Sequence, residues 1–98
     1  MKEVILSADG FRYVYSVPDK VAENLYEYCI EFCKWLNDSP DAKKFRRKTK
    51  TGTVLSYTEE DFINYLNQYL FPDEYSKYVA NLGYSIPQEY RDIPHFNF

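Results

Sequence analysis

The sequence predicts an α+β fold in which two short β-hairpins pack against a long central helix and two C-terminal helices, all within one domain of residues 1–98. Three patterns lead to this prediction. Alternating apolar residues flank an Asp-Gly pair, a long run of apolar residues has helical spacing, and β-branched residues flank a later glycine. Because a chain of this length is of ordinary size for one domain, we expect a single core of modest size.

The first hairpin is predicted from two apolar stretches, residues 4–7 and residues 11–17, that flank Asp9 and Gly10. In the second stretch, every other residue is aromatic or aliphatic, which is the spacing of a strand with one buried face. Asp-Gly is among the residue pairs that tight hairpin turns favour. The two stretches are therefore predicted to pair with each other.

The long central helix is predicted from Pro18 to about Asn37. Proline is tolerated at the start of a helix, and Asp19 places a negative charge in the first turn, where the helix dipole favours it. The apolar arc of this helix is wider than one buried face needs. We therefore expect the helix either to pack on two sides or to present part of that arc to a partner.

A second hairpin is predicted between residues 45 and 57, with its turn near Lys50 to Gly52. A break after the central helix precedes this hairpin. Ser39 is a good N-cap residue for the short helical turn that follows the break, and Pro40 suits the first helical position.

The first of the two C-terminal helices is predicted to begin after Thr58, which acts as its N-cap. Asp61 stands three residues later, close to the spacing of a capping box, and two glutamates add negative charge to the first turn. Phe71-Pro72 is predicted to end this helix, because proline cannot continue a helical hydrogen-bond ladder.

A short second helix is predicted over residues 72–82, since its apolar residues fall on one side at helical spacing, and Gly83 is expected to end it. Residues 84–98 contain two prolines and several aromatic residues. Because this segment is too apolar to remain free in water, we expect an extended tail that lies on the rest of the domain.

Charge is unevenly distributed along the chain. The net charge is −3, yet residues 43–50 hold six of the twelve basic residues and no acid, so the rest of the chain carries 15 acids against six bases, a net charge of −9. An acidic body of this kind repels nucleic acid and attracts basic partners through long-range steering.

The basic stretch, residues 43–50, allows two interpretations. Lysine and arginine bind phosphate, which would suit a nucleic-acid-associated accessory protein, although no helix-turn-helix, zinc-finger or RNA-recognition signature accompanies them. Alternatively, the charges lie on the outer face of an edge hairpin and block its pairing with other strands. The basic residues are Lys43, Lys44, Arg46, Arg47, Lys48 and Lys50.

The sequence shows no pattern of a catalytic nucleophile, a metal site or a phosphate-binding loop, so we predict a protein without catalytic activity, cofactor or metal. Cys29 and Cys33 stand four residues apart on the predicted helix, where a disulfide would link only neighbouring turns, so they are interpreted as reduced, partly buried thiols. A metal site would need more ligands, and the only histidine, His95, lies far along the chain. The apolar runs are too short for a signal sequence or a membrane span, so we expect a cytoplasmic protein.

Eleven tyrosines and 15 acids indicate a protein-binding surface, because protein interfaces favour aromatic rings with a polar tip. Three glutamates stand four residues apart on the central helix, and three acids open the next helix. The alternative interpretation places most of the rings in the core and leaves the acids as a solvated face. The predicted partner-binding residues are Glu23, Tyr26, Glu27, Glu31, Glu59, Glu60 and Asp61.

Four segments, VPDKVAENLYEYCIEFCKWL, SYTEEDFINYLNQYLFP, NLGYSIPQEYRD and IPHFNF, resemble a small bacterial immunity protein of a polymorphic-toxin system of the contact-dependent inhibition type. The resemblance implies a cytoplasmic protein that binds and silences the toxic domain of a secreted bacterial toxin. Such immunity proteins are often acidic because many of their toxins are basic nucleases. The basic stretch departs from that pattern.

Overall fold

The first hairpin forms as the alternating pattern predicts. The structure, a computed structural model that describes residues 1–98, pairs β1 (Lys2–Ser7) with β2 (Arg12–Val17) in antiparallel fashion. Asp9 takes a positive φ of 58° in the turn between them, a conformation that aspartate tolerates better than most residues. Val4 lies opposite Tyr15 in this register, so both side chains share one face of the sheet.

The predicted central helix is divided into two helices, α1 (Asp19–Glu23) and α2 (Leu25–Asp38). Asn24 leaves the helical conformation, with φ −133° and ψ 39°. Its side-chain amide donates a hydrogen bond of 2.9 Å to the carbonyl oxygen of Lys20. Asparagine competes for backbone groups in this way, which explains why one continuous helix from Pro18 is wrong.

The break and the second hairpin follow the prediction. The Ser39 hydroxyl accepts a 3.1 Å hydrogen bond from the Asp41 amide at the start of a 3₁₀ segment, Pro40–Phe45. The hairpin of β3 (Arg46–Thr49) and β4 (Gly52–Leu55) forms a separate two-stranded sheet. Gly52 has a φ of 138°, which residues with a side chain rarely adopt, so its position after the turn has a physical reason.

The helix α3 (Glu59–Tyr65) begins with the predicted capping box, in which the Asp61 carboxylate accepts a 2.8 Å hydrogen bond from the Thr58 amide. A π-helical turn, Leu66–Leu70, extends α3 up to Phe71-Pro72. The end of this helix therefore also agrees with the prediction.

The predicted second C-terminal helix over residues 72–82 is wrong, because the chain forms a strand, β5 (Lys77–Gly83), along the open edge of β2. Without β5, the backbone groups on that edge of β2 would lack partners from the sheet. Gly83 does have a positive φ, of 78°, but it ends a strand instead of a helix. Fold class is unaffected: the α+β prediction is confirmed.

Residues 84–98 include a 3₁₀ turn, Gln88–Tyr90, and end in β6 (His95–Asn97), which pairs in parallel with β1. The four-stranded sheet therefore has the order β5-β2-β1-β6. Ile5 and Val14 are buried on the face of this sheet that does not carry the main core. Because residues 84–94 connect the two edge strands, we infer that this segment covers that face.

The main core lies between the other face of the sheet and the helices, with Phe32 of α2 at its centre. Five further aromatic rings, those of Trp35, Tyr57, Phe62, Tyr65 and Phe98, lie with their centroids between 5.2 and 6.0 Å from that of Phe32. Such edge and offset contacts add to the free energy gained from burial. This core fixes α3 beside β2 and so determines the geometry of the site described next.

Candidate functional site

A strip of tyrosine rings lies on β2 and β5, on the face of the sheet that faces α3. The centroid of Tyr78 is 6.1 Å from that of Tyr13 and 6.1 Å from that of Tyr15. The register places Tyr15 directly opposite Tyr78 on the neighbouring strand, where cross-strand side chains interact most strongly. Tyr15 is buried, whereas Tyr78 is exposed, so the strip extends from the core to the surface.

Between this strip and α3 is the largest cavity of the protein, about 440 Å³, which we call the tyrosine cleft. Four tyrosines and two glutamates give the cleft its aromatic and acidic character. Its lining residues are Tyr13, Tyr15, Glu59, Glu60, Ile63, Asn64, Asn67, Tyr75, Ser76, Lys77 and Tyr78.

Glu59 is the most unusual residue of the tyrosine cleft, since it is only 8% exposed yet forms no ion pair. Most of the side chain is covered, but the carboxylate oxygens remain accessible from the cleft and pair with no cation of the chain. Glu59 stands in the first turn of α3, where the helix dipole favours negative charge. Lys77 also lines the cleft, but its ammonium pairs with neither Glu59 nor Glu60.

The hydroxyl of Tyr15 remains protonated beside these two carboxylates. Burial raises the pKa of Tyr15 above its ordinary value of 10.0, and the negative charges of Glu59 and Glu60 raise it further. The ring therefore presents a neutral phenol, and the negative charge of the cleft comes from the two glutamates.

Asn67 holds the end of the cleft in place by a pair of hydrogen bonds to the backbone of Ser76. Its side-chain oxygen accepts from the Ser76 amide at 2.7 Å, and its side-chain nitrogen donates to the Ser76 carbonyl at 2.9 Å. This clamp fixes the chain where it turns from the π-helical segment into β5. Ser76 itself is 1% exposed, and its hydroxyl has no hydrogen-bond partner.

The three acids predicted to open the first C-terminal helix do not share one role. Glu59 and Glu60 line the tyrosine cleft. Asp61 serves the capping box and lines a different groove, of about 270 Å³, together with Lys44 of the basic stretch. The structure therefore brings only the first two of these acids together with aromatic rings of the sheet.

The predicted stripe of glutamates on the central helix is interrupted at Asn24. Glu23 lies on α1 and pairs with Lys2 of β1, with 3.6 Å between the charged atoms. Glu27 and Glu31 line a shallow groove on α2 that does not include Glu23. The Glu31 carboxylate also pairs with Lys34, at 3.7 Å, one turn further along the helix.

Tyr26, the predicted aromatic anchor, is 66% exposed on α2. Its ring centroid is 6.1 Å from that of Phe96, so it lies beside β6 at the edge of the sheet opposite to β5. The predicted partner-binding residues are thus dispersed: only Glu59 and Glu60 lie at the tyrosine cleft, and the others lie on α1, on α2 and in the groove that contains Asp61.

The basic stretch is also divided. The Arg46 guanidinium donates a 2.9 Å hydrogen bond to the Leu36 carbonyl near the end of α2, and the Lys44 ammonium lies 5.1 Å from the centroid of the Phe45 ring. These contacts give Arg46 and Lys44 roles within the fold. Every basic residue of the stretch except Arg46 is exposed, namely Lys43, Lys44, Arg47, Lys48 and Lys50.

Both cysteines carry free thiols on α2, Cys29 buried and Cys33 partly buried. Burial raises the pKa of each thiol above its ordinary value of 9.0. Nowhere in residues 1–98 do three or more histidine, cysteine or carboxylate side chains come close enough to hold a metal ion. The helices are all too short or too polar to cross a membrane.

Sequence reasoning missed the tyrosines of the cleft, namely Tyr13, Tyr15, Tyr75 and Tyr78. The first two were recognised only as part of a strand, and the last two were assigned to a helix that does not form. A signal was present in KYVANLG, residues 77–83, because aromatic and β-branched residues at its start favour a strand.

Comparison with known proteins identifies no relative: no family model, curated protein or solved structure matches this chain.

Proposed function

We propose that this chain is a non-catalytic inhibitor, a cytoplasmic immunity protein that binds the toxic domain of a secreted bacterial toxin and neutralises it. The observation that carries the proposal is the tyrosine cleft, in which the carboxylate of Glu59 lacks a counter-charge beside four tyrosines. A binding partner that supplies positive charge would compensate for that carboxylate.

The charge of the whole chain supports a basic partner. Outside residues 43–50 the net charge is −9, which steers a basic protein towards the acidic surfaces and raises its association rate. Exposed tyrosines beside those acids supply rigid anchors of the type that dominate binding free energy at protein interfaces.

The resemblance to immunity proteins of polymorphic-toxin systems supports a toxin as that partner. In such systems the toxin gene stands directly upstream of the immunity gene. The C-terminal domain encoded by the upstream gene is therefore the protein with which to test the proposal.

Co-expression tests the proposal directly. We expect the upstream C-terminal domain alone to arrest bacterial growth, and this chain to relieve the arrest and to form a stable complex that elutes as one species in size-exclusion chromatography. If the domain arrests growth but neither complex nor relief is observed, the chain does not neutralise it and the proposal is wrong.

A nucleic-acid-associated accessory protein is the second candidate, favoured by the five exposed basic residues of the basic stretch. Phosphate binding through several such residues would weaken steeply as salt rises. A fluorescence titration with single-stranded DNA and RNA at low and physiological salt distinguishes the two candidates. Our proposal expects no binding even at low salt.

A further inference from the structure

We propose that the tyrosine cleft is a receptor for one arginine side chain of the partner protein. The inference that the arginine belongs to a toxin rests on the proposed function. The inference that the site binds an arginine rests on the geometry of the cleft alone. A carboxylate, an unpartnered hydroxyl and aromatic faces line the same cavity.

The chemistry of the lining matches a guanidinium group. Its planar N–H donors form paired hydrogen bonds with a carboxylate, and its flat face stacks on tyrosine rings. Glu59 supplies the carboxylate, Tyr78 and Tyr75 supply exposed rings, and the Ser76 hydroxyl is a free acceptor. One bound guanidinium would therefore provide both the charge that Glu59 lacks and a donor for Ser76.

Lysine fits this lining less well. Its ammonium is a compact and strongly hydrated charge that cannot stack on a ring as a plane does. Lys77 already lines the cleft without pairing with Glu59.

The proposal predicts selective binding of small probes by the free, full-length chain. N-acetyl-arginine amide is the probe, N-acetyl-lysine amide tests the shape of the charge, and N-acetyl-citrulline amide is a neutral isostere of arginine. In a titration followed by ¹H–¹⁵N NMR, the arginine probe should give saturable shifts centred on Glu59, Ser76 and Tyr78. We expect millimolar affinity, with the lysine probe several-fold weaker and no saturable shift from the citrulline probe.

Two variants locate the site. Glu59→Gln should weaken the arginine probe about tenfold or more, because it replaces a charge-assisted hydrogen bond. Tyr75→Ala removes a ring that is 67% exposed and outside the core, so this variant should fold normally and still weaken the probe several-fold. Glu89→Gln, on the exposed 3₁₀ turn and outside the cleft, is the matched control and should leave probe binding unchanged.

Each of the other results would overturn the arginine receptor. These results are equal shifts with the citrulline probe, equal affinity for the lysine probe, absence of saturable shifts, or loss of binding in Glu89→Gln instead of in the cleft variants. The outcome is separable from the test of the proposed function. If co-expression relieves growth arrest while the probe does not bind, the inhibitor stands and the arginine receptor fails. If the probe binds but no toxin is neutralised, the arginine receptor stands and the inhibitor function fails.

Discussion

Arg46 belongs to the basic stretch in sequence, but in the structure it stabilises the end of α2. Its guanidinium donates to the Leu36 carbonyl, one of the last carbonyls of that helix, where positive charge is favourable. We predict that Arg46→Ala lowers the free energy of unfolding by about 1–2 kcal/mol. Urea denaturation followed by circular dichroism measures this change.

Arg47 provides the matched control for that substitution. It is the next residue along β3, and its exposed side chain forms no hydrogen bond or ion pair. Arg47→Ala should therefore change stability by less than about 0.5 kcal/mol. Equal losses in the two variants would show that the bond to Leu36 contributes nothing beyond the charge of the stretch.

Buried thiol and phenol groups of the core make the free energy of unfolding depend on pH in the alkaline range. Burial raises the pKa of Cys29 above 9.0 and the pKa of Tyr15 above 10.0. Because the folded state holds these protons more tightly than the unfolded state, their contribution is fully present below pH 9.0 and falls as pH rises above it. Each such proton steepens the fall by about 1.4 kcal/mol per pH unit.

Cys29→Ala isolates the contribution of the thiol. The variant is expected to be less stable at neutral pH, because it loses a buried sulfur, but its stability should fall less steeply as pH rises above 9.0. Urea midpoints measured across that range provide the comparison. Identical slopes in the variant and the natural chain would mean that the pKa of the Cys29 thiol is the same in the folded and unfolded states.

Local capping residues could be predicted from the sequence, whereas Arg46 could not. Ser39 and Thr58 act on backbone groups two or three residues away, so the sequence alone contains the whole motif. Arg46 acts on a carbonyl ten residues earlier, and only the folded path of the chain brings the two together.

At the scale of elements, the strand β5 shows where periodicity fails. Apolar residues at 75, 78, 79 and 82 fit one side of a helix, but Tyr78 and Val79 also favour a strand. The competing influence is the open edge of β2, which lies more than 60 residues away in sequence. Local periodicity carries no information about a strand edge that is distant in sequence, so β5 could not be predicted. The two strands of the first hairpin are adjacent in sequence, so that hairpin could be predicted.

The clamp between Asn67 and Ser76 is predicted to hold β5 against the sheet. Asn67→Ala removes both hydrogen bonds to the Ser76 backbone and leaves those buried groups unpaired, so we expect a loss of about 2–3 kcal/mol. Hydrogen exchange measured by NMR should show the greatest loss of protection in residues 77–83.

Gln68→Ala is the control for the clamp, because Gln68 is the neighbouring residue in the π-helical turn and its exposed side chain forms no hydrogen bond within the chain. This variant should retain the protection of β5. Uniform loss of protection across all strands in Asn67→Ala would contradict a local role for the clamp and indicate that it stabilises the whole fold.

At the scale of the molecule, the acidic part of the candidate site was predicted and the aromatic part was not. Glu59 and Glu60 stand in a recognisable helix start, so their place on one surface could be inferred from the sequence. Their tyrosine neighbours include residues of β2 and β5. The incorrect prediction of a helix over residues 72–82 did not place Tyr75 and Tyr78 beside the sheet. The site therefore lies where three distant parts of the chain converge.

The charge distribution of the molecule leads to a prediction about which surface the partner approaches. Three reversals compare the surfaces: Glu60→Lys at the tyrosine cleft, Glu27→Lys at the groove of α2, and the pair Arg47→Glu with Lys48→Glu on the hairpin. Arg46 is left unchanged, because its bond to Leu36 would be lost together with its charge. All four altered side chains are exposed, so the fold should tolerate each change.

For a basic toxin domain, we predict that Glu60→Lys slows association about threefold or more at low salt, and that the difference shrinks as salt screens the charges. Glu27→Lys should slow association less, since its groove lacks the tyrosine strip. The hairpin pair should leave association unchanged or faster, because it removes charges that repel a basic partner. Association rates from stopped-flow fluorescence at several salt concentrations provide the measurement. If the hairpin pair abolishes binding while Glu60→Lys has no effect, the partner is acidic and the basic stretch is the surface that receives it.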